Sequence, residues 1–172
     1  MTSQLKLQNI LSQWIQEHID FLQQHHLVAI VQFGSTVRGA LKKSGDIDLF
    51  CIFSHLSTDA TDKHKMFSKI EDSLMQYIQP QLSEQLYPSV IARTTQQLDH
   101  MAPIYFDMVE FHNILWDPQN TARDLLQKAQ QWMQQHGSYK VQKGNLWYWI
   151  MDSKVPPGHP ADLQFKMEVD GE

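Results

Sequence analysis

The chain has 172 residues, 42% of them hydrophobic, and a formal net charge of -5. This suits one domain with an appendage and a real core, and the acidic balance argues against a broad polyanion-binding surface, although not against a local basic cleft. The single Cys51 excludes an internal disulfide framework and a CxxC metal site, so a reducing cytoplasm is the expected home; no apolar run is long enough for a bilayer, and no signal-peptide core is expected at the amino end.

From Leu5 to about Gln24, apolar residues recur at steps of three and four, which predicts an amphipathic helix. "LVAIVQF" (Leu27 to Phe33) is short and β-branched and predicts a buried strand. Ser35 to Leu41 has room for two helical turns. "DIDLFCIF" (Asp46 to Phe53) predicts a second strand beside the first. A long helix is expected from about Asp62 to Ile78, ended by Pro80. "LYPSVIART" (Leu86 to Thr94) predicts a third strand, and Pro88 suggests an edge position or the strand's start. "TTQQLDHM" has the chemistry of a capped turn. Pro103 to Val109 predicts a short helix and "NILWD" a fourth strand. Asn120 or Thr121 should cap a helix running to His136, with Gly137 as its stop. Ser138 to Ile150 predicts a hairpin turning near Lys143, Gly144 and Asn145. The tail beyond is polar and expected to be extended. The order makes a mixed α/β, or α+β, layer fold, divided as residues 1–117 and 118–172.

The stretch "FGSTVRGALKKSGDIDLF" (Phe33 to Phe50) concentrates the chemistry. Gly34 sits between a strand and a helix, where a glycine permits a sharp turn and close approach of a ligand. Ser35 and the nearby N–H groups can hold a phosphate. This is not a Walker loop, because the glycine-lysine-serine spacing is missing. Asp46 and Asp48 alternate along a strand, so both point to one face and Ile47 to the other. Two adjacent carboxylates repel, and a bound cation removes that penalty. Mg²⁺ suits the pair, because it takes one or two carboxylates together with substrate phosphates. Arg38, one helical turn beyond Ser35, can reach the same anion or serve as a surface ion-pair residue. Lys42 and Lys43 are rim candidates.

Other residues carry less. The nine His show no ligand spacing, and Cys51 reads as a small core residue. Tyr139, Trp147, Tyr148 and Trp149 form an aromatic cluster. It reads first as a hairpin covering the last helix, and second as a base-stacking or acceptor-docking surface.

Gly34-Ser35-Thr36-Val37-Arg38-Gly39 followed by Asp46-Ile47-Asp48-Leu49 resembles the signature of the nucleotidyltransferase superfamily typified by DNA polymerase beta. It is closest to the small bacterial minimal nucleotidyltransferase branch. The resemblance covers roughly residues 25 to 117. It implies a small mixed sheet with helices packed on one face, here with a C-terminal helix and β-hairpin added. It also implies transfer of a nucleoside monophosphate from an NTP, ATP being the expected donor, to an unidentified hydroxyl, with Mg²⁺ on Asp46 and Asp48. Gly34, Ser35 and Arg38 would bind the nucleotide phosphates, with Asp46 and Asp48 catalytic.

Two departures stand out. Gly45 precedes the first Asp where the family usually has Ser. An active member also carries a third carboxylate on the next core strand, and "LYPSVIART" has none; Ser89, Ile91 or Arg93 occupies its place. This keeps a second reading open: a catalytically weakened nucleotide-binding or regulatory protein, such as the antitoxin of a small helical HEPN-type toxin. Neither a membrane nor a strong nucleic-acid signal is expected.

Overall fold

A computed structural model describes residues 3–39, 41–144, 146–156, 159 and 161–165. Its centre is a four-stranded mixed sheet. Strand β1 (Leu27–Phe33) pairs antiparallel with β2 (Ser44–Phe53) and, on its other side, with β4 (Asn113–Trp116). Strand β3 (Gln85–Thr94) pairs parallel with β2, giving the order β3-β2-β1-β4. The parallel pair requires a crossover, and α3 (Ala60–Ile78) supplies it. Pro88 lies in β3 at the sheet edge, where a missing ladder donor is tolerated.

Alternation along β1 and β2 separates two cores. Ile30, Ile47, Leu49, Cys51 and Phe53 face α1 (Ser3–Gln24) and α3, where Leu7, Leu11, Trp14, Ile70 and Leu74 meet them. Ala29, Val31, Phe33, Phe50 and Ile52 face α4 (Pro103–Glu110) and α5 (Thr121–His136), against Tyr105, Phe106, Leu125 and Trp132. Helices therefore cover both faces, where the resemblance implied one. The physical reason is the composition of the strands: β1 and β2 are apolar on both sides, so each face needs a cover. Each large aliphatic or aromatic side chain buried in this way contributes about 1.5–3 kcal/mol.

Local chemistry sets the element ends. Asp59 accepts a hydrogen bond from the Asp62 N–H at 2.9 Å and opens α3. Thr94 and Gln97 form a capping box around the turn after β3. The start of α5 differs from expectation. Asn120 precedes it in a left-handed conformation (φ 59) with no side-chain cap bond. Asp117 caps instead, accepting from the N–H of Ala122 at 3.2 Å and of Arg123 at 3.0 Å. Gly137 (φ 64) ends α5 as expected.

The helix after Gly34 is also shorter than expected. It is a single turn, α2 (Ser35–Arg38), and Gly39 follows in extended conformation, because glycine favours leaving a helix over prolonging it. Strands β5 (Tyr139–Lys143) and β6 (Leu146–Ile150) form the expected hairpin; Asn145, named for its turn, lies outside the described residues, as does Ala40 in the expected second turn of α2. In the tail, Leu163 accepts from the Met101 N–H at 2.6 Å, Phe165 donates to the Asp99 carbonyl at 3.1 Å, and Gln164 bridges to His100.

Candidate active site

The two carboxylates stand at the start of β2, and Gly34 stands at the end of β1. The antiparallel register puts Phe33 opposite Asp48, so the next residue, Gly34, turns directly over that carboxylate. Its backbone adopts φ 78 and ψ -155, a region open only to glycine. A Cβ placed there would lie 2.0 Å from Asp48 Oδ2. Two separate constraints therefore demand glycine at this corner: the conformation and the approach.

Asp46 is exposed and Asp48 half-buried. Burial pushes the Asp48 carboxyl above its ordinary 3.8, the neighbouring Asp46 charge raises it further, and the Arg38 guanidinium partly offsets both. Gly34, Ser35, Arg38, Asp46 and Asp48 thus meet at the corner of β1, α2 and β2. The corner is braced from below. Buried Gln32 donates to Thr36 Oγ1 at 3.2 Å and accepts from Asn113 Nδ2 at 3.1 Å. Gln4 of α1 donates to the Val37 carbonyl. One helical turn generates little dipole, so the groups here with the chemistry to meet an anion are the N–H groups after Gly34, the Ser35 hydroxyl and Arg38.

The third strand decides how complete the site is. In register, Tyr87 stands opposite Asp46, Ser89 opposite Asp48, Ile91 opposite Phe50 and Arg93 opposite Ile52. Those four share the carboxylates' face, and none is an acid. Glu84 precedes β3, Asp99 lies in the following loop, and Asp107 and Glu110 are on α4. Asp107 accepts from Trp149 Nε1 at 3.1 Å and Glu110 pairs with Lys140. Among the described residues no group of three or more His, Cys, Asp or Glu is placed to hold a metal. The donor set still suits a hard divalent ion that takes two carboxylates and fills its shell from a substrate and water. The crowding of Asp48 by Asp46 is the penalty such an ion would relieve.

Residues 15–88 match the family described as a nucleotidyltransferase domain. This stretch resembles the nucleotidyltransferase superfamily. The matched residues include the Gly34 corner, both carboxylates and the start of β3. No curated protein matches the chain. Among solved structures, the chain is similar to a toxin-antitoxin with AMP-PNP, at 20% identity over 73% of this chain and 87% of that one, with a TM-score of 0.40. It is similar to a spectinomycin adenyltransferase from Enterococcus faecialis with ATP and spectinomycin, at 14% identity over 64% and 58% of the two chains and a TM-score of 0.43. It is also similar to a tri-AMPylated Shewanella oneidensis HEPN toxin in complex with an MNT antitoxin, at 18% identity over 75% and 87% and a TM-score of 0.37.

One neighbour of the candidate site is not foreseen from the sequence. The Arg38 guanidinium carbon lies 5.4 Å from the centre of the Trp147 ring. The aromatic run of β6 signalled that something packs there, but not that it reaches α2. The hairpin touches α4 through Trp149, whose ring centre lies 5.3 Å from that of Phe106. No described helix is long and apolar enough to cross a membrane.

Proposed function

We propose that the chain transfers a nucleoside monophosphate from an NTP, ATP first among the candidates, to a hydroxyl acceptor. The observation that carries this reading is the fit of Gly34 over Asp48, with Asp46 beside it. That close approach sets the backbone N–H groups after Gly34 beside the two acids, so a phosphate held by the N–H groups would lie next to a cation held by the carboxylates.

In this reading Ser35, the following N–H groups and Arg38 hold the β- and γ-phosphates. Asp46 and Asp48 would hold Mg²⁺, which supplies charge neutralisation at the phosphates. The acceptor oxygen forms a bond to the α-phosphorus, the α–β anhydride bond breaks, and pyrophosphate leaves. With no acid on the facing positions of β3, the hydroxyl proton passes to water. Lacking a positioned base costs on the order of 10²- to 10⁴-fold in rate, whereas positioning and charge neutralisation remain.

That same vacancy on β3 favours the second reading, a nucleotide-binding regulator of a protein partner. Calorimetric titration of ATP, CTP, GTP and UTP, with and without Mg²⁺, into the wild type and Asp48→Asn tests the first step shared by both. Mg²⁺-dependent binding that Asp48→Asn abolishes is expected. No binding at millimolar nucleotide overturns both readings. Pyrophosphate release from the bound NTP in the presence of cell extract then separates enzyme from regulator.

A further inference from the structure

The hairpin presents one face to the nucleotide corner. In its register Lys140 is opposite Trp149 and Gln142 is opposite Trp147, so these four side chains share a face. Trp149 is the anchor, held by its hydrogen bond to Asp107 and its contact with Phe106 on α4. Trp147, 39% exposed, extends from that anchor to Arg38. Lys140 Nζ lies 4.3 Å from the Trp147 ring centre and 5.6 Å from that of Trp149. A single indole is therefore contacted by a cation from α2 and a cation from β5. Lys140 is at the same time paired with Glu110 on α4, both side chains being about a third exposed or less.

Resting on the nucleotide-transfer reading above, we propose that this hairpin face is part of the nucleotide site. Trp147 is a positioning residue that holds the Arg38 guanidinium, and Lys140 is a second phosphate-binding cation that exchanges Glu110 for the triphosphate tail. The charges argue for it. Arg38 ends the single turn that follows Gly34 and lies against the Trp147 ring, and a triphosphate carries several negative charges for it to meet. Lys42 and Lys43 are both exposed. Lys140 is instead held in place by two rings and a carboxylate. A partly exposed ion pair with one carboxylate is weak, and a multiply charged phosphate chain competes for the same ammonium with more oxygens and more charge. The indole meanwhile limits the rotamers open to Arg38, which reduces the entropy lost when it closes on phosphate.

The test is Mg²⁺-dependent binding of ATP, CTP and inorganic triphosphate, measured by calorimetry on the wild type, Trp147→Ala, Trp147→Phe, Lys140→Met and Glu110→Gln, each checked for folding by thermal melting. Trp147→Ala should weaken binding about fivefold and Trp147→Phe much less. Lys140→Met should weaken it about tenfold. Glu110→Gln should tighten it about two- to threefold, because it releases Lys140. A merely structural pair would move Lys140→Met and Glu110→Gln in the same direction, and that result overturns the proposal. So do losses that differ between ATP and CTP, since a tail-binding cation is blind to the base. Wild-type binding that Asp48→Asn abolishes but Trp147→Ala and Lys140→Met leave unchanged overturns this inference and spares the reading it rests on; absence of wild-type binding overturns both.

Discussion

Gly34 is constrained twice, and each constraint has its own consequence. At φ 78 and ψ -155 an alanine is strained by about 1–3 kcal/mol, and its methyl would also meet Asp48 Oδ2 at 2.0 Å. Gly34→Ala should therefore lower stability by that amount in urea titration and abolish Mg²⁺-nucleotide binding, because the carboxylate must rotate away. Retained binding with unchanged affinity would mean that the corner is only a turn. A second residue, Cys51, reports on the core beneath the site. Burial first, and the Glu71 charge second, push its thiol up from 9.0 to about 12. The folded chain keeps that proton where the unfolded chain loses it. The associated stability is complete below pH 9.0 and declines as pH rises toward about 12. At pH 8 an alkylating reagent should label Cys51 only at the rate of unfolding, with labelling accelerated by urea; rapid labelling of the native chain would place the thiol in contact with solvent.

Among the elements, α2 and α5 show how neighbours replace what a helix lacks. The single turn of α2 has too few internal bonds to hold itself. Buried Gln32 and Thr36 and half-buried Asn113 form a hydrogen-bonded chain beneath it, and Gln4 ties its end to α1. For α5, the residue that looks like its cap, Asn120, is not the one that caps. Asp117 accepts from two of the first N–H groups. Asp117→Ala should cost about 1–2 kcal/mol in thermal or urea unfolding, and Thr121→Ala markedly less. Equal losses would show that the cap is shared. This substitution pattern was not legible in the sequence, because Asp117 lies four positions before the helix and reaches back only through the turn between β4 and α5.

Across the whole molecule, β1 and β2 belong to both cores at once. Ile30 and Leu49 serve the α1/α3 side, and Val31 and Phe50 the α4/α5 side. Neither layer can separate without exposing the far side of the same strands. Unfolding should therefore be one transition. Leu11→Ala on one face and Phe106→Ala on the other should each lower its midpoint, by about 2–5 kcal/mol in stability, with far- and near-ultraviolet dichroism moving together. Two separated transitions in either variant would show that the layers fold independently.

The elements and the corner of glycine and carboxylates were legible for a simple reason. Their information is local: period two in β1 and β2, period 3.6 in α1, α3 and α5, and a glycine, a serine and two alternating aspartates within one short stretch. That stretch by itself determined which carboxylates share a face, and the lack of an acid in "LYPSVIART" was equally visible. Pairing of distant segments was not. Only the register of β3 placed Ser89 opposite Asp48, only two-sided packing showed that helices cover both faces of the sheet, and only the anchoring of Trp149 on α4 carried Trp147 to Arg38. Contacts of that kind arise from the shape of the buried surfaces and the reach of side chains across them, which no spacing along the chain encodes.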